Sequence, residues 1–478
     1  MLAAQTPAVD VPPAEEFART LARFTHRLTL ERLPMAVRTA VKANIFDTLI
    51  CAAAGSGAAG VTELTELVRE WGGAPQARLL VHGDALPAHH AALVNGTMAH
   101  ARDYDDTHDE ATLHGGVTAV TAALAAAQLR GSVAGGELLS AVAAGLESIC
   151  RLGMSTTVGI VDSGYMYTAL FGYFAATVSA GRVLELDEAQ LVNALGIVYS
   201  QAAGNHQVTR DAALTKRMQP GFAAMSGLLA VQLARKGVRG VQSTFEGQDG
   251  LLRVYLHDHC DRGRLRAGLG DQFDLLGLSY KPYPCCRFTH TAIDAARALR
   301  SEIAAPLDEI VRIRVEVNRL AHEVVCTPQA IRKAPTTVVQ AQFSIPYAVA
   351  ALLLDGEIRL DHFADAALGR PEIRALSSRV ETAVADDIEK DWGRRNSPAR
   401  MTIDLRDGRT LRTQVDWALG HPRNPMSEAD FDRKAVDCLG IAARPLADDA
   451  ARTLRDRVSR LETLADVRSL IDPLISRR

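Results

Sequence analysis

Up to about residue 270 the apolar positions recur at helical spacing. Phe17, Leu21, Phe24 and Leu28 step by four, three and four residues, the stripe of an amphipathic helix. Across 117–127 and 138–152 the chain is rich in alanine, which predicts thin helices whose axes approach closely in an interior bundle. Gly131, Gly135, Gly136 and Gly153 are natural stops between them. Asp187-Glu188 opens a further helix that carries Leu191, Ala194, Leu195 and Val198. Past about residue 280 the period changes. Val311, Ile313, Val315 and Val317 alternate with Arg312, Arg314 and Glu316, which predicts a half-buried strand. Met401, Ile403 and Leu405, a turn at Asp407-Gly408, and Leu411, Thr413 and Val415 predict a hairpin. Helices are expected at 341–355 and 371–387. They return after Gly420-His421-Pro422, with Phe431, Val436 and Leu439, then Leu454, Val458, Leu461 and Leu464. The pattern describes a mainly α protein with an α+β lid. A helical domain is formed by 1–279 and 416–478, and 280–415 is inserted between them.

A chain of 478 residues is too long for one ordinary core, which agrees with two domains. Its 47% hydrophobic and 23% charged residues are ordinary for a soluble globular protein. A net charge of −3 gives no basic excess for nucleic-acid binding, so an anionic substrate needs locally placed cations. The opening 1–17 has neither a basic nor an apolar leader region, and the Ala/Val/Leu-rich run 117–129 is too short to cross a bilayer. Seven cysteines, scattered apart from Cys285-Cys286, suggest reduced thiols in the cytoplasm and make a poor zinc signature.

Three segments carry chemistry. The densest runs from His100 through Asp103, Asp105, Asp106, Thr107, His108, Asp109 and Glu110 to His114, between two apolar helices. So many acids and histidines beside buried elements are costly unless paired or used. Three readings fit the residues: a solvated loop, a metal site, or an acid/base site in which a histidine moves a proton and an aspartate orients it. No HExxH or EF-hand spacing supports the metal. In the second segment Lys216 and Arg217 precede Pro220-Gly221 at the start of an apolar helix. That is either a carboxylate receptor or a plain capping turn. The third, Ser279 to His290, sits at the expected domain junction. Its prolines fix the backbone, and Lys281 and Arg287 are either anion clamps or incidental charges on a hinge.

Together these segments resemble the MmgE/PrpD family. Asn95-Gly-Thr-Met-Ala-His100, then Asp103-Tyr-Asp-Asp-Thr-His108 and Leu113-His114, are similar to its first signature. Lys216-Arg217 with Gly221 and Ala223-Ala224 resembles its second motif, Phe245–Gly250 its EG.DG turn, Lys281-Pro-Tyr-Pro-Cys-Cys-Arg-Phe-Thr-His290 its third motif, and Gly420–Pro425 its late loop.

The resemblance implies a cofactor-independent lyase, usually a homodimer, that moves a proton beside a carboxylate of a small di- or tricarboxylic acid. The foremost expectation is a 2-methylcitrate dehydratase-like hydro-lyase. Decarboxylation of the cis-aconitate type or epimerisation of the iminodisuccinate type are the alternatives. A non-catalytic carboxylate-binding paralogue and a metal-dependent hydrolase are further alternatives. By motif position His114, Asp103 and Lys216 are expected to be catalytic, with Asp103 orienting His114. Thr107, Gln219, Lys281, Arg287 and Tyr347 are expected to contact substrate, and no metal is expected. Asp105, Asp106, Asp109 and Glu110 read as structural. The sequence departs from the family pattern where Met166 and Gln219 stand at positions often occupied by histidine, and where Gly115 replaces a proline.

Overall fold

The computed structural model describes residues 15–393 and 397–476. Most of the opening stretch that was read for a leader lies outside the described residues. The architecture is mainly helical with a small α+β part, as the periodicity predicts. Apolar side chains collect in two cores. Among the described residues the larger takes 17–278, Leu360 and 435–474, and the smaller takes the remaining apolar residues of 283–405.

The alanine-rich helices Gly116–Arg130, Gly135–Ser155 and Tyr167–Val183 are buried on nearly all sides, which small side chains permit. Gly135–Ser155 is long and apolar enough to cross a membrane by length and composition, yet it lies inside this bundle. Phe17, Leu21, Phe24 and Leu28 are all buried, so the amphipathic stripe faces inward. The C-terminal helix Glu428–Gly440 returns to the N-terminal helix Met35–Gly55, where buried Lys434 donates to buried Asp47 at 2.5 Å. On that C-terminal helix the apolar expectation fails at Val436, which is 69% exposed, while Lys434 and Cys438 point inward.

The smaller unit holds a four-stranded sheet ordered Val380–Val384, Ile310–Val317, Ala399–Leu405, Thr410–Val415. The first pair is parallel and the other two are antiparallel. Two expectations need correction. The helix expected at 371–387 stops at Ser378. The chain then forms a strand, because Val380, Thr382 and Val384 are β-branched at period two. Val311 faces solvent because the register shifts between Ile310 and Arg312, so Ile310 takes the inward place.

Candidate active site

The first motif is held by its neighbours on three sides. It follows the helix Ala88–His100, and Thr107-His108 pairs antiparallel with Leu278-Ser279, just ahead of Lys281. Asp106 caps the next helix: its two carboxylate oxygens accept from Gly115 N at 2.9 Å and Gly116 N at 3.0 Å. The second motif reaches the first through a close helix contact. A Cβ on Gly221 would lie 2.3 Å from Thr97 Oγ1 and 2.4 Å from Leu93 O, so only glycine lets the Gln219–Arg235 helix approach. The third motif is tied in by Tyr104 Oη donating to Pro282 O at 3.1 Å and by Gln342 Nε2, which donates to Pro284 O at 3.1 Å and to Arg102 O of the first segment at 2.8 Å.

At this junction lies a cavity of about 80 Å³, lined from both units. Asp103 lines it with a positive φ of 54°, a conformation rare outside glycine but tolerated by aspartate. Its Oδ1 accepts from Lys281 Nζ at 2.5 Å, its main-chain carbonyl from the same Nζ at 2.9 Å, and its Oδ2 from Lys216 Nζ at 2.9 Å. Burial alone would raise the Asp103 carboxyl, but the two ammonium groups outweigh it and hold it well below the usual carboxylate range. Lys281 is buried, which favours its neutral form, yet Asp103 and Asp105 win and push it up.

A second group of side chains lies alongside. Asp105 Oδ2 is shared by two imidazoles, His100 Nδ1 at 2.8 Å and His114 Nδ1 at 3.0 Å. His114 Nδ1 is also 2.6 Å from Asp106 O. Two acceptors at Nδ1 place the proton there, which leaves Nε2 as the basic atom of a ring that lines the cavity. Asp105 is therefore the partner that orients His114, and Asp103, expected in that role, instead holds the lysines. The reason is conformational: the left-handed turn at Asp103 directs it to Lys216 and Lys281, two residues before Asp105 reaches the histidines. Burial would raise the Asp105 carboxyl, but the imidazoles keep it low. Burial pulls His100 down to about 4, so it is neutral near pH 7, and its Nε2, 3.2 Å from Lys216 Nζ, accepts from that lysine. His100, Asp105 and His114 offer three ligand atoms within 4.8 Å of one another, a grouping able to hold a metal ion; both Nδ1 atoms are already directed at one carboxylate oxygen.

The other expected residues divide. Thr107 lines the cavity, with its hydroxyl 3.3 Å from Leu113 O. Arg287 also lines it, but Asp109, His290 and the Leu419 carbonyl take most of its donors, so it acts as a tie between segments and not as a free anion clamp. Gln219 is absent from the wall. Its side chain holds Asn205 through O at 3.1 Å and N at 3.2 Å. Tyr347 is absent too: it packs inside the smaller core and its hydroxyl donates to His362 O at 2.7 Å. Both lie in the first turn of their helices, Gln219–Arg235 and Ile345–Asp355, with their polar atoms already bonded within the chain. The wall also contains Cys286 and Phe288 of the third motif, to which no role was given, and residues outside the motifs, among them Ile160, His206, Val324 and Phe343. Met166 is there as well, its sulfur 3.9 Å from Thr209 Oγ1.

Comparison with known proteins places this geometry in context. The family model described as the MmgE/PrpD N-terminal domain matches residues 19–262, and that for the MmgE/PrpD C-terminal domain matches 283–463. A cis-aconitate decarboxylase of Aspergillus terreus is 24% identical over 95% of both chains. Its counterpart in Homo sapiens is 28% identical over 80% of this chain and 78% of its own. That of Mus musculus is 26% identical over 94% and 91%. With both family domains matched in order over most of its length, the chain belongs to the MmgE/PrpD family.

Proposed function

We propose that this protein is a lyase that acts on a small carboxylic acid by moving a proton at the carbon beside a carboxylate. The observation that carries the reading is the arrangement of His114 and a lysine pair around one cavity, with each group already fixed by a buried aspartate. An ammonium has three donors. Lys281 uses two on Asp103, and Lys216 uses one on Asp103 and one on His100, so each keeps one N–H for a substrate carboxylate. When the adjacent carbon loses its proton, or a carboxyl group as carbon dioxide, the bonding pair stays behind and negative charge spreads onto the carboxylate that is held. The two lysines stabilise it without having to reorganise. His114 Nε2 carries the proton, and Asp105 stabilises the imidazolium that forms. His100 and Asp105 position Lys216 and His114 without touching substrate themselves.

The departing group is water or carbon dioxide. The relatives named cis-aconitate decarboxylase support the second, and the Lys216 ammonium, able to protonate a leaving hydroxyl, supports the first. Incubation with hydroxy and unsaturated acids in deuterated water, followed by NMR, tests the reading. Deuterium at the carbon beside the carboxylate with loss or gain of water, or with release of carbon dioxide, is expected. Absence of both exchange and turnover across mono-, di- and tricarboxylates would refute it.

A further inference from the structure

The charged and imidazole side chains on the cavity wall are engaged in hydrogen bonds, with one exception. Asp103 accepts from Lys216 and Lys281, Asp105 and the Asp106 carbonyl hold His114, and Asp109 holds Arg287. His206 lines the same cavity. It is half-buried, and its Nδ1 is buried with no hydrogen-bond partner among the described residues. A ring nitrogen taken out of water in this way is costly unless a ligand uses it.

The backbone that carries this ring is fixed. The peptide group between Asn205 and His206 is held at both ends: its carbonyl accepts from Gln219 Nε2 at 3.1 Å, and its N–H donates to Gly164 O at 2.8 Å. Gln219 Oε1 also accepts from Asn205 N at 3.2 Å. A clamped backbone that presents an unengaged imidazole to a cavity suits a ligand contact, because the orientation is set before anything binds. The surroundings select the ligand's charge. Burial pulls His206 down, and the positive charges of Arg210, on its own helical turn, and of Lys216, on the next, add to that. The segment to which its N–H is tied, Gly164-Tyr165-Met166, carries no charge. The ring is therefore neutral near pH 7 and lies in a positive field. A carboxylate placed against it opposes both cations, so the ring draws a proton from solvent and the contact becomes a charge-assisted hydrogen bond.

We propose that His206 is a substrate-contacting residue whose imidazole holds a second carboxylate, one that Lys216 and Lys281 leave over, and that Gln219 positions it through the Asn205–His206 peptide. This rests on the lyase reading above and deepens it. The substrate then carries at least two carboxylates, one at the lysine pair, where charge builds up during the reaction, and another at His206. His114 Nε2 keeps the proton transfer at carbon. His206 takes up its own proton on binding and returns it to solvent on release, so the turnover consumes none. Gln219, expected to touch substrate, acts through its neighbour instead.

Tiglate, mesaconate and cis-aconitate carry one, two and three carboxylates, and the first two differ only by a methyl in place of a carboxylate. Calorimetry with the full chain near pH 6.5, in buffers of different ionisation heat, reads affinity and proton uptake, and NMR in deuterated water reads exchange on the same samples. For the tighter-binding of mesaconate and cis-aconitate, His206→Leu is expected to weaken binding on the order of tenfold and to reduce the proton uptake of the wild type. Tiglate should change less than about twofold, since it has no second carboxylate to lose. His206→Arg, which places a permanent charge there, is expected to keep the affinity while reducing proton uptake in the same way. Gln219→Ala should reproduce the selective loss in part, and no change there would remove Gln219 from its role. Equal losses for all three acids, no loss, binding of tiglate alone, or proton uptake unchanged in His206→Leu would overturn the proposal, and deuterium exchange by the wild type would leave the lyase reading standing. The selective loss without exchange or turnover would uphold the carboxylate contact and count against the lyase reading. Failure of all three acids to bind would overturn both.

Discussion

Replacing Asp103 by asparagine removes the charge on which the lysine pair depends while keeping the side chain's shape. In the native site Lys281 is 1% exposed and Lys216 is 11% exposed, and both nitrogens lie within 2.9 Å of one carboxylate. Asparagine offers one oxygen to one lysine and turns an amide N–H₂ group toward the other, a donor against a donor. Breaking a buried pair by removing one partner costs about 3–5 kcal/mol. Lys216 recovers part of its hydration at the cavity, so the lower end, about 3 kcal/mol, is expected for Asp103→Asn near pH 7. The pH dependence identifies the cause. Lys281 is raised in the folded state, so its contribution is complete below its unfolded value, about 10.5, and fades as pH rises through the folded one. In the variant burial dominates and the lysine sheds its proton earlier, so the gap between the two proteins should close at alkaline pH. Urea unfolding followed by circular dichroism at neutral and alkaline pH measures this. A second comparison, Asp103→Asn with Lys281→Met, should cost less than the separate losses combined. A neutral-pH difference under about 0.5 kcal/mol, or one that widens at high pH, would refute the reasoning.

His100 makes a prediction of opposite sense. Its folded value of about 4 lies below the unfolded value of about 6.5, so its contribution is complete above about 6.5 and is lost as pH falls through about 4. The stability advantage of the wild type over His100→Gln should therefore shrink by about 3 kcal/mol across that window in acid-urea titrations, and a flat difference would contradict the assignment. Asp105→Asn should lower kcat on the order of a hundredfold or more, with a much smaller change in KM, since it loosens His114 and leaves the lysines in place. Gly221→Val would push the second-motif helix away from Thr97 and Leu93. A loss of about 1–3 kcal/mol with weaker carboxylate binding is expected by denaturation and calorimetry, and full retention of both would show that the contact does not position Lys216.

The fold was largely legible because its signals are local and repeated. The stripe at Phe17 to Leu28, the alanine runs and the Asp407-Gly408 hairpin each specify an element from side-chain pattern alone. The strand Val380–Val384 escapes the periodicity because a short β-branched run directly after a helix lies below the length at which the two periods separate. That His114, Asp103, Thr107, Lys216 and Lys281 come together was legible, and all five line one cavity. Pairings were not. Which of Asp103, Asp105 and Asp106 meets which partner depends on one left-handed residue and one helix cap, and spacing encodes neither directly. Tyr347 and Arg287 show the converse: motif position for one and charge at the hinge for the other suggested a ligand, while an intramolecular acceptor or acid had already claimed the side chain. Lys434, buried against Asp47, could not be told from a surface lysine, because its partner is 387 residues away.

The central claim is that His114 Nε2 carries the proton at a carbon whose carboxylate is held by Lys216 and Lys281. Its most direct test is the rate of deuterium incorporation beside the carboxylate of a bound unsaturated acid, compared between wild type and His114→Gln at saturating ligand. The account predicts incorporation by the wild type and a loss of at least about a hundredfold in the variant, with affinity for the carboxylate kept because both lysines remain. Incorporation at the wild-type rate by His114→Gln would contradict it.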